Sequence, residues 1–234
     1  MSAVGYRPAR SSGPGRAPVA DAGAPPRRAP GRPRADESVD EEAFLEAALR
    51  AFAVYGYDAV SVRTLNRQLG VSHSWVHQRF GSKANLWYAA VDRGFGRQAA
   101  TIAFDPTVSD PLEHLERGIR GFLRYSADHR ELGLIMNAEG AQDTERLDYI
   151  YEHYIAPPLA PYERLLTHLI DEGRVRPVSM RTLFLLIAHG GAAPFGLLPL
   201  ARRLGASDPN SKKNVEEHIE AVTRILIEGI RLDR

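Results

Sequence analysis

Between residues 70 and 83 the chain reads GVSHSWVHQRFGSK, and several of these side chains are of the kinds that read nucleotide edges. An arginine can give a bidentate pair to guanine O6 and N7, a glutamine can pair with adenine, and flat rings can meet thymine methyls or stack on sugars. That chemistry needs the groups on the outer side of a short helix whose N-terminal end enters a DNA major groove. In SHSWVHQRF, residues 72–80, Val76 and Phe80 stand four apart and give the helix its inward side. His73, Ser74, Trp75, His77, Gln78 and Arg79 are left outside. Trp75 has a second reading, as a ring packed back on the helices behind it. Lys83, opening the next helix, is placed to reach a phosphate together with that helix's free N–H groups.

The elements that must hold this helix are legible on either side of it. Ser38 and Glu41 have capping-box spacing, acids fill the first turn, and Phe44, Ala48 and Phe52 recur on one face before Gly56. A second helix fits 61–70, with Ser61 as its N-cap, Val62, Leu65 and Leu69 inward, and Gly70 able to turn left-handed past its end. Ser72 is read as the N-cap of the third helix, and Gly81 and Ser82 close it and open a fourth over 83–100. Three short helices with a tight glycine turn between the second and third form a helix-turn-helix. Beyond them, helices are expected over 110–129, opened by Asp110, Pro111 and Glu113, and over 131–142. Others fit 144–172, disturbed at Pro157, Pro158 and Pro161, then 179–203 and 214–231. No convincing alternating strand is found, so the fold class is all-α.

Over residues 44–91 the sequence resembles the TetR family of bacterial transcriptional regulators. Phe52, the Gly56-Tyr57 pair, Ser61-Val62-Arg63, Gly70-Val71-Ser72 and Phe80-Gly81-Ser82-Lys83 occur in the order and spacing that family uses. The resemblance implies an N-terminal helix-turn-helix DNA-binding domain, here 38–84, followed by a larger helical ligand-binding and dimerisation domain, 85–234. By position it points to Arg63, His73, Ser74, Trp75, His77, Gln78, Arg79 and Lys83 as DNA contacts, with Ser61 and Ser72 beside them. His77, Gln78 and Arg79 stand where the family commonly has tyrosines and a histidine, which bears on the base sequence recognised. The implied partners are a palindromic double-stranded DNA operator, a second copy of the chain and a small-molecule effector, with no cofactor and no membrane.

Charge is distributed in keeping with that reading. The net value of +1 hides seven Arg against three acids in residues 1–37, and six basic residues against Asp92 alone in 61–97. The first of these segments is rich in Pro, Gly and Ala with almost no large apolar residue, and is expected to be a disordered arm. Its Arg32 and Arg34, in APGRPRA, have the form of minor-groove hooks; a merely solubilising tail is the other reading. The absence of cysteine excludes disulfides and thiolate metal sites and fits a reducing, cytoplasmic location.

Further along, Val215, Ile219, Val222, Leu226 and Gly229 alternate by four and three, a seam for another helix. The resemblance implies that this helix and the apolar 179–203 pair with their twins in a homodimer; the same residues are alternatively ordinary core. Candidate walls for an apolar effector are Phe122, Tyr125, Ile135, Met136, Tyr151, Tyr154, Phe184, His189 and Phe195. Enzyme signatures are poor. GFGRQA at 94–99 lies on a helix with no strand before it, HGGA at 189–192 lacks any nucleophile elbow, and no metal-ligand spacing occurs. The reading is a ligand-responsive repressor that is not an enzyme, with an architectural DNA-binding protein lacking an effector as the alternative.

Overall fold

The computed structural model describes residues 40–105, 107–205 and 207–232. The arm with Arg32 and Arg34, and the expected cap Ser38, lie outside them. Residues 35–234 form one compact unit. The described residues are helical with no strand, only an isolated bridge between Val175 and Arg231.

The head is built from α1 (Glu41–Tyr55), α2 (Val62–Gln68) and α3 (Trp75–Phe80). The cap of α1 is Asp40, whose carboxylate accepts from the Glu42 and Ala43 N–H groups, so the expected Ser38 capping box is corrected by two residues. Phe44, Ala48 and Phe52 are buried as their spacing predicts, and Gly56 ends the helix at φ 77°. Ser61 caps α2, accepting from Thr64 N–H at 3.3 Å. The third helix begins at Trp75 rather than at 73, and Ser72 is not its cap. Two bonds explain the delay. The Ser72 carbonyl accepts from Trp75 N–H at 3.1 Å in a tight turn, and the His73 carbonyl is taken by the Asn66 side-chain amide at 3.1 Å. Neither is then free to start a four-residue ladder earlier. Gly81, at φ 78°, closes α3, and Ser82 caps α4 (Lys83–Thr101) by accepting from Asn85 N–H.

The body continues with α5 (Pro111–Asp128), capped by Asp110 as expected, and α6 (Arg130–Glu139). The helix expected over 144–172 is two α-helical runs, α7 (Glu145–Ile150) and α8 (Ala156–Asp171), joined by a widened π-helical turn, Tyr151–Ile155. Ala156 N–H bonds the Tyr151 carbonyl five residues back. Pro157 and Pro158 have no N–H to close the usual ring, and the ladder widens just before them. The expected helix 179–203 is broken further. It comprises α9 (Met180–Leu185), a wide turn Leu186–Gly191, α10 (Ala193–Gly196) and α11 (Leu198–Leu204), bent by 83° before α11. No single helix among the described residues is long and apolar enough to cross a membrane.

The last helix, α12 (Lys212–Ile230), corrects another expectation. Ile219 is fully buried in the body's core, with Val215, Val222 and Leu226 packed against the same cluster, so this seam faces the chain's own helices; Gly229 is exposed. Gly191 lets that packing close up, since a Cβ there would stand 3.0 Å from Val222 and 3.1 Å from Leu123.

Two cores result. The second joins α5, α8, α9 and α12. The first contains the buried residues of α1–α4 and also Leu132 and Ile135 of α6 and Ile150 of α7, so packing does not stop at residue 84. Gly94 marks the crossing: a Cβ there would lie 2.6 Å from Leu132 and 2.9 Å from Leu49. The first glycine of GFGRQA serves the approach of α1, α4 and α6.

Candidate nucleic-acid interface and ligand cavity

Behind α3, Val76 is fully buried and Trp75 is 8% exposed, its ring centroid 4.3 Å from that of Phe44 and 5.8 Å from that of Phe80. The outer side carries His73, Ser74, His77, Gln78 and Arg79, all exposed. The expectation that Trp75 offers its ring to DNA is therefore corrected. The indole fills the gap between α1 and α3, and its face is not available to a base. Asn66 escaped the sequence reading. It is fully buried, with its amide nitrogen on the His73 carbonyl and its Oδ1 unpartnered, and it ties the turn to α2. Its spacing of four from Val62 and one from Leu65 places it on the apolar stripe, the signal that it is a buried polar group.

The basic groups of the head are not equivalent. Arg63 on α2 is exposed and has no ion pair among the described residues. Arg79, near the end of α3, is hydrogen-bonded and ion-paired to Glu41 in the first turn of α1. Lys83 donates to the Asp58 carbonyl at 3.1 Å and lies 4.7 Å from the Tyr57 ring centroid, which holds its ammonium at the start of α4. Ser61 accepts from Thr64 as a cap, and Ser72 Oγ is 3.4 Å from Ser74 Oγ.

Polar contacts fasten the head to the body. Arg146 of α7 stacks 4.3 Å from the Tyr57 centroid while binding the buried Glu139 at 2.9 Å. Arg93 of α4, almost wholly enclosed, bridges Glu42 at 2.8 Å and Glu46 at 2.6 Å on α1. The Tyr149 and Tyr154 hydroxyls both donate to Asp92 Oδ1 of α4 at 2.7 Å. Burial, then the bond to Asp92, pushes the Tyr149 phenol up to about 12 and raises that of Tyr154 as well.

Tyr154 also lines a cavity of about 180 Å³ in the body, walled by α4, α5, α6, α8 and the broken α9–α10 segment. Of the expected walls, Phe122, Met136, Tyr154, Phe184, His189 and Phe195 line it. Three do not. Ile135 is buried in the first core on the other side of α6, Tyr151 points from the wide turn into solvent, and the Tyr125 hydroxyl donates to the Gly94 carbonyl at 3.2 Å. Sequence reasoning missed the α4 contribution, Phe95, Gln98 and Ile102, although their spacing of three and four is that of one helix face. It also missed Ser126 and Arg130.

Comparison with known proteins bears on both sites. The family profile described as bacterial regulatory proteins, tetR family, matches residues 44–90. The transcriptional repressor BdcR of Escherichia coli is 30% identical over 142 residues, which cover 58% of this chain and 69% of that protein. The transcriptional repressor AcnR of Corynebacterium diphtheriae is 34% identical over 83 residues, covering 34% of this chain and 44% of AcnR. The match thus spans less than half of AcnR's length. AibR, solved with isovaleryl coenzyme A and operator DNA, aligns with a TM-score of 0.56 at 16% identity, covering 80% of this chain and 97% of AibR. At that identity the likeness is one of fold.

Proposed function

Because the chain belongs to the tetR family of bacterial regulatory proteins, we propose that it is a repressor that holds a palindromic operator as a homodimer and releases it when a small, mainly apolar effector fills the cavity. Residues 38–84 act as the reading head, and 85–234 receive the effector and join the two copies. The observation that carries this is the outer side of α3, entirely polar and exposed, set on Trp75 and Val76 and braced by Asn66. Arg63, His73, Ser74, His77 and Gln78 read or line the groove. Arg79 joins them by exchanging Glu41, and Ser61, Ser72 and Lys83 serve the flanking phosphates. Arg32 and Arg34 of the arm enter the adjacent minor groove.

One such helix reads few bases, whereas two heads about 34 Å apart read two half-sites on one side of the duplex. The faces available for the second copy are the exposed Leu185, Leu186, Leu197, Leu200 and Leu204 of the broken segment, with Ile225 of α12. They replace the buried seam residues as the dimer contacts. Coupling runs through Tyr154, whose ring faces the cavity and whose hydroxyl holds Asp92 on α4, the helix that carries Lys83 into the head. An effector that fits better when that bond is loosened lowers DNA affinity by the same free energy. The cavity favours this reading over an architectural protein without an effector, and the relatives' names favour a regulator in the cytoplasm over an enzyme.

The test is binding to DNA upstream of the protein's own gene across a salt series. A specific complex whose affinity falls steeply with salt supports the proposal, and indifference to every duplex at low salt ends it. Deleting residues 1–37 should weaken binding and flatten the salt slope. An unchanged slope removes Arg32 and Arg34 from the contact set.

A further inference from the structure

We infer that the effector carries a neutral hydrogen-bond donor, such as a hydroxyl, on an otherwise apolar body, and that Gln98 is the residue that selects it. This rests on the effector reading of the cavity. Among the polar side chains lining the cavity, Gln98 and Ser126 are the buried ones, each 8% exposed. Ser126 Oγ lies 2.8 Å from the Phe122 carbonyl, which can only accept, so the hydroxyl's single hydrogen is committed there. Its lone pairs then take the Gln98 Nε2–H at 3.3 Å, and this fixes which end of the amide is nitrogen. The other end, Oε1, has no partner among the described residues. It is also not one of the enclosed unpartnered atoms, which are Asn66 Oδ1, Arg93 Nε and Thr223 Oγ1. Oε1 therefore meets open space, and the space that Gln98 borders is the cavity.

The walls beside it, Phe95, Ile102, Phe122 and Phe184, have no side-chain hydrogen to give. A carboxylate or ether oxygen brought there would face acceptor to acceptor, and a hydrocarbon would leave Oε1 dry and unpaired. A hydroxyl supplies the missing hydrogen. The exposed Arg130, Asn137 and His189 are solvated already and make no such demand. The volume of about 180 Å³ is close to the roughly 150 Å³ of a cavity that accepts benzene, so the body is small.

The test uses two isomers of equal size, 1-hexanol and the donor-free 1-methoxypentane, titrated into the full-length protein and followed by chemical shifts. The alcohol should bind roughly three- to tenfold tighter. Gln98→Leu should bring the ratio to about one, with the alcohol bound more weakly and the ether, relieved of the facing oxygen, bound at least as well as before, and Ser126→Ala, which frees the amide to turn, should give a ratio between the two. Gln98→Met, of similar length, replaces Gln98→Leu if the latter lowers the melting temperature. Equal binding of the isomers to the unaltered protein overturns the inference and leaves the effector reading standing. Binding of neither overturns both.

Discussion

Two buried carboxamides, Asn66 in the head and Gln98 in the body, sit in opposite surroundings. Asn66 spends its amide on a backbone carbonyl and its oxygen is pressed against packed side chains with no accessible space. Gln98 is held by Ser126 and borders a void. The head is filled and the body is hollow, a difference that suits the tasks proposed for them. A reading helix of two turns has to be fixed from behind if its outer groups are to meet base edges in register. A receiver has to have room that a second molecule can take, and two states of similar energy for that molecule to choose between.

The largest break in this comparison comes from truncating one aromatic ring in each region. Trp75→Ala should cost about 3–5 kcal/mol, because the indole is packed between α1 and α3 with nothing to relax into its place. DNA binding should vanish for every sequence, whereas Trp75→Phe should keep it. Phe184→Ala, beside a space that already exists, should cost less than half as much. Urea unfolding of the three variants measures this, and equal losses for the two alanine variants would mean that head and body are packed alike.

Next in size is the contrast between the two arginines of the head. Arg63→Ala should lose roughly 1–3 kcal/mol on the cognate site and relax base preference, since among the described residues no acid pairs with that guanidinium. Arg79 has to give up Glu41 before it reaches DNA, so Arg79→Ala should cost less than Arg63→Ala, and Glu41→Gln should raise affinity. Lys83→Ala should weaken all sequences about equally. A Glu41→Gln protein that binds DNA no better confines Arg79 to holding α1 and α3 together.

What was legible in the sequence follows the same division. The head is local: Phe44, Ala48 and Phe52, the cap at Ser61 and the left-handed Gly70 and Gly81 are decided within a few residues of one another, and each stands in the structure as its spacing predicts. Where the head was misread, a longer contact intervened. Trp75 has both an outward and an inward reading in the sequence because Val76 and Phe80 alone suffice as the inner side of α3, and only the contact with the distant Phe44 of α1 decides for the inward one. In the body, Pro157 and Pro158 marked a disturbance, but whether it would be a kink, a break or a wide turn depends on the helices packed around it. The α12 seam shows the limit most clearly. A stripe of Val215, Ile219 and Val222 demands a partner helix without saying whose, and the structure supplies the chain's own core.

The Asp92 clamp should sharpen the comparison on a smaller scale, through pH. Tyr149 and Tyr154 keep their protons to higher pH when folded than the ordinary phenol value of about 10, Tyr149 to about 12. Their contribution is therefore complete below about pH 10 and is lost as pH rises through the folded value. Tyr154→Phe should remove about 0.5–1.5 kcal/mol at pH 8 and make the alkaline loss of stability shallower. It should also weaken DNA binding in the effector's absence and lessen the effector's further influence, because a protein without the bond to Asp92 already stands nearer the loosened state. An effector response of unchanged size would cut Tyr154 out of the coupling.

The smallest expected effect separates two sets of ion pairs. Arg93 is enclosed between α1 and α4, where its hydrogen bond holds the Glu46 carboxyl below the usual carboxylate range. On the body's outer edge, Arg124 lowers Glu216 and Arg120 lowers Glu220 in the same way, across α5 and α12, but with arginines more exposed than Arg93. All three carboxylates contribute stability above the unfolded value of about 4.3 and lose it as pH falls through their folded values. Salt should divide them. Exposed pairs are screened, so the doubly substituted Glu216→Gln, Glu220→Gln protein should melt slightly lower at low ionic strength near pH 6 and indistinguishably from the unaltered chain in 1 M salt. Glu46→Gln should keep more of its loss in that salt, because the Arg93 side chain is only 12% exposed. Equal salt sensitivity of the two variants would place the Arg93 pair at the surface in solution and make the joint between head and body as loose as the edge.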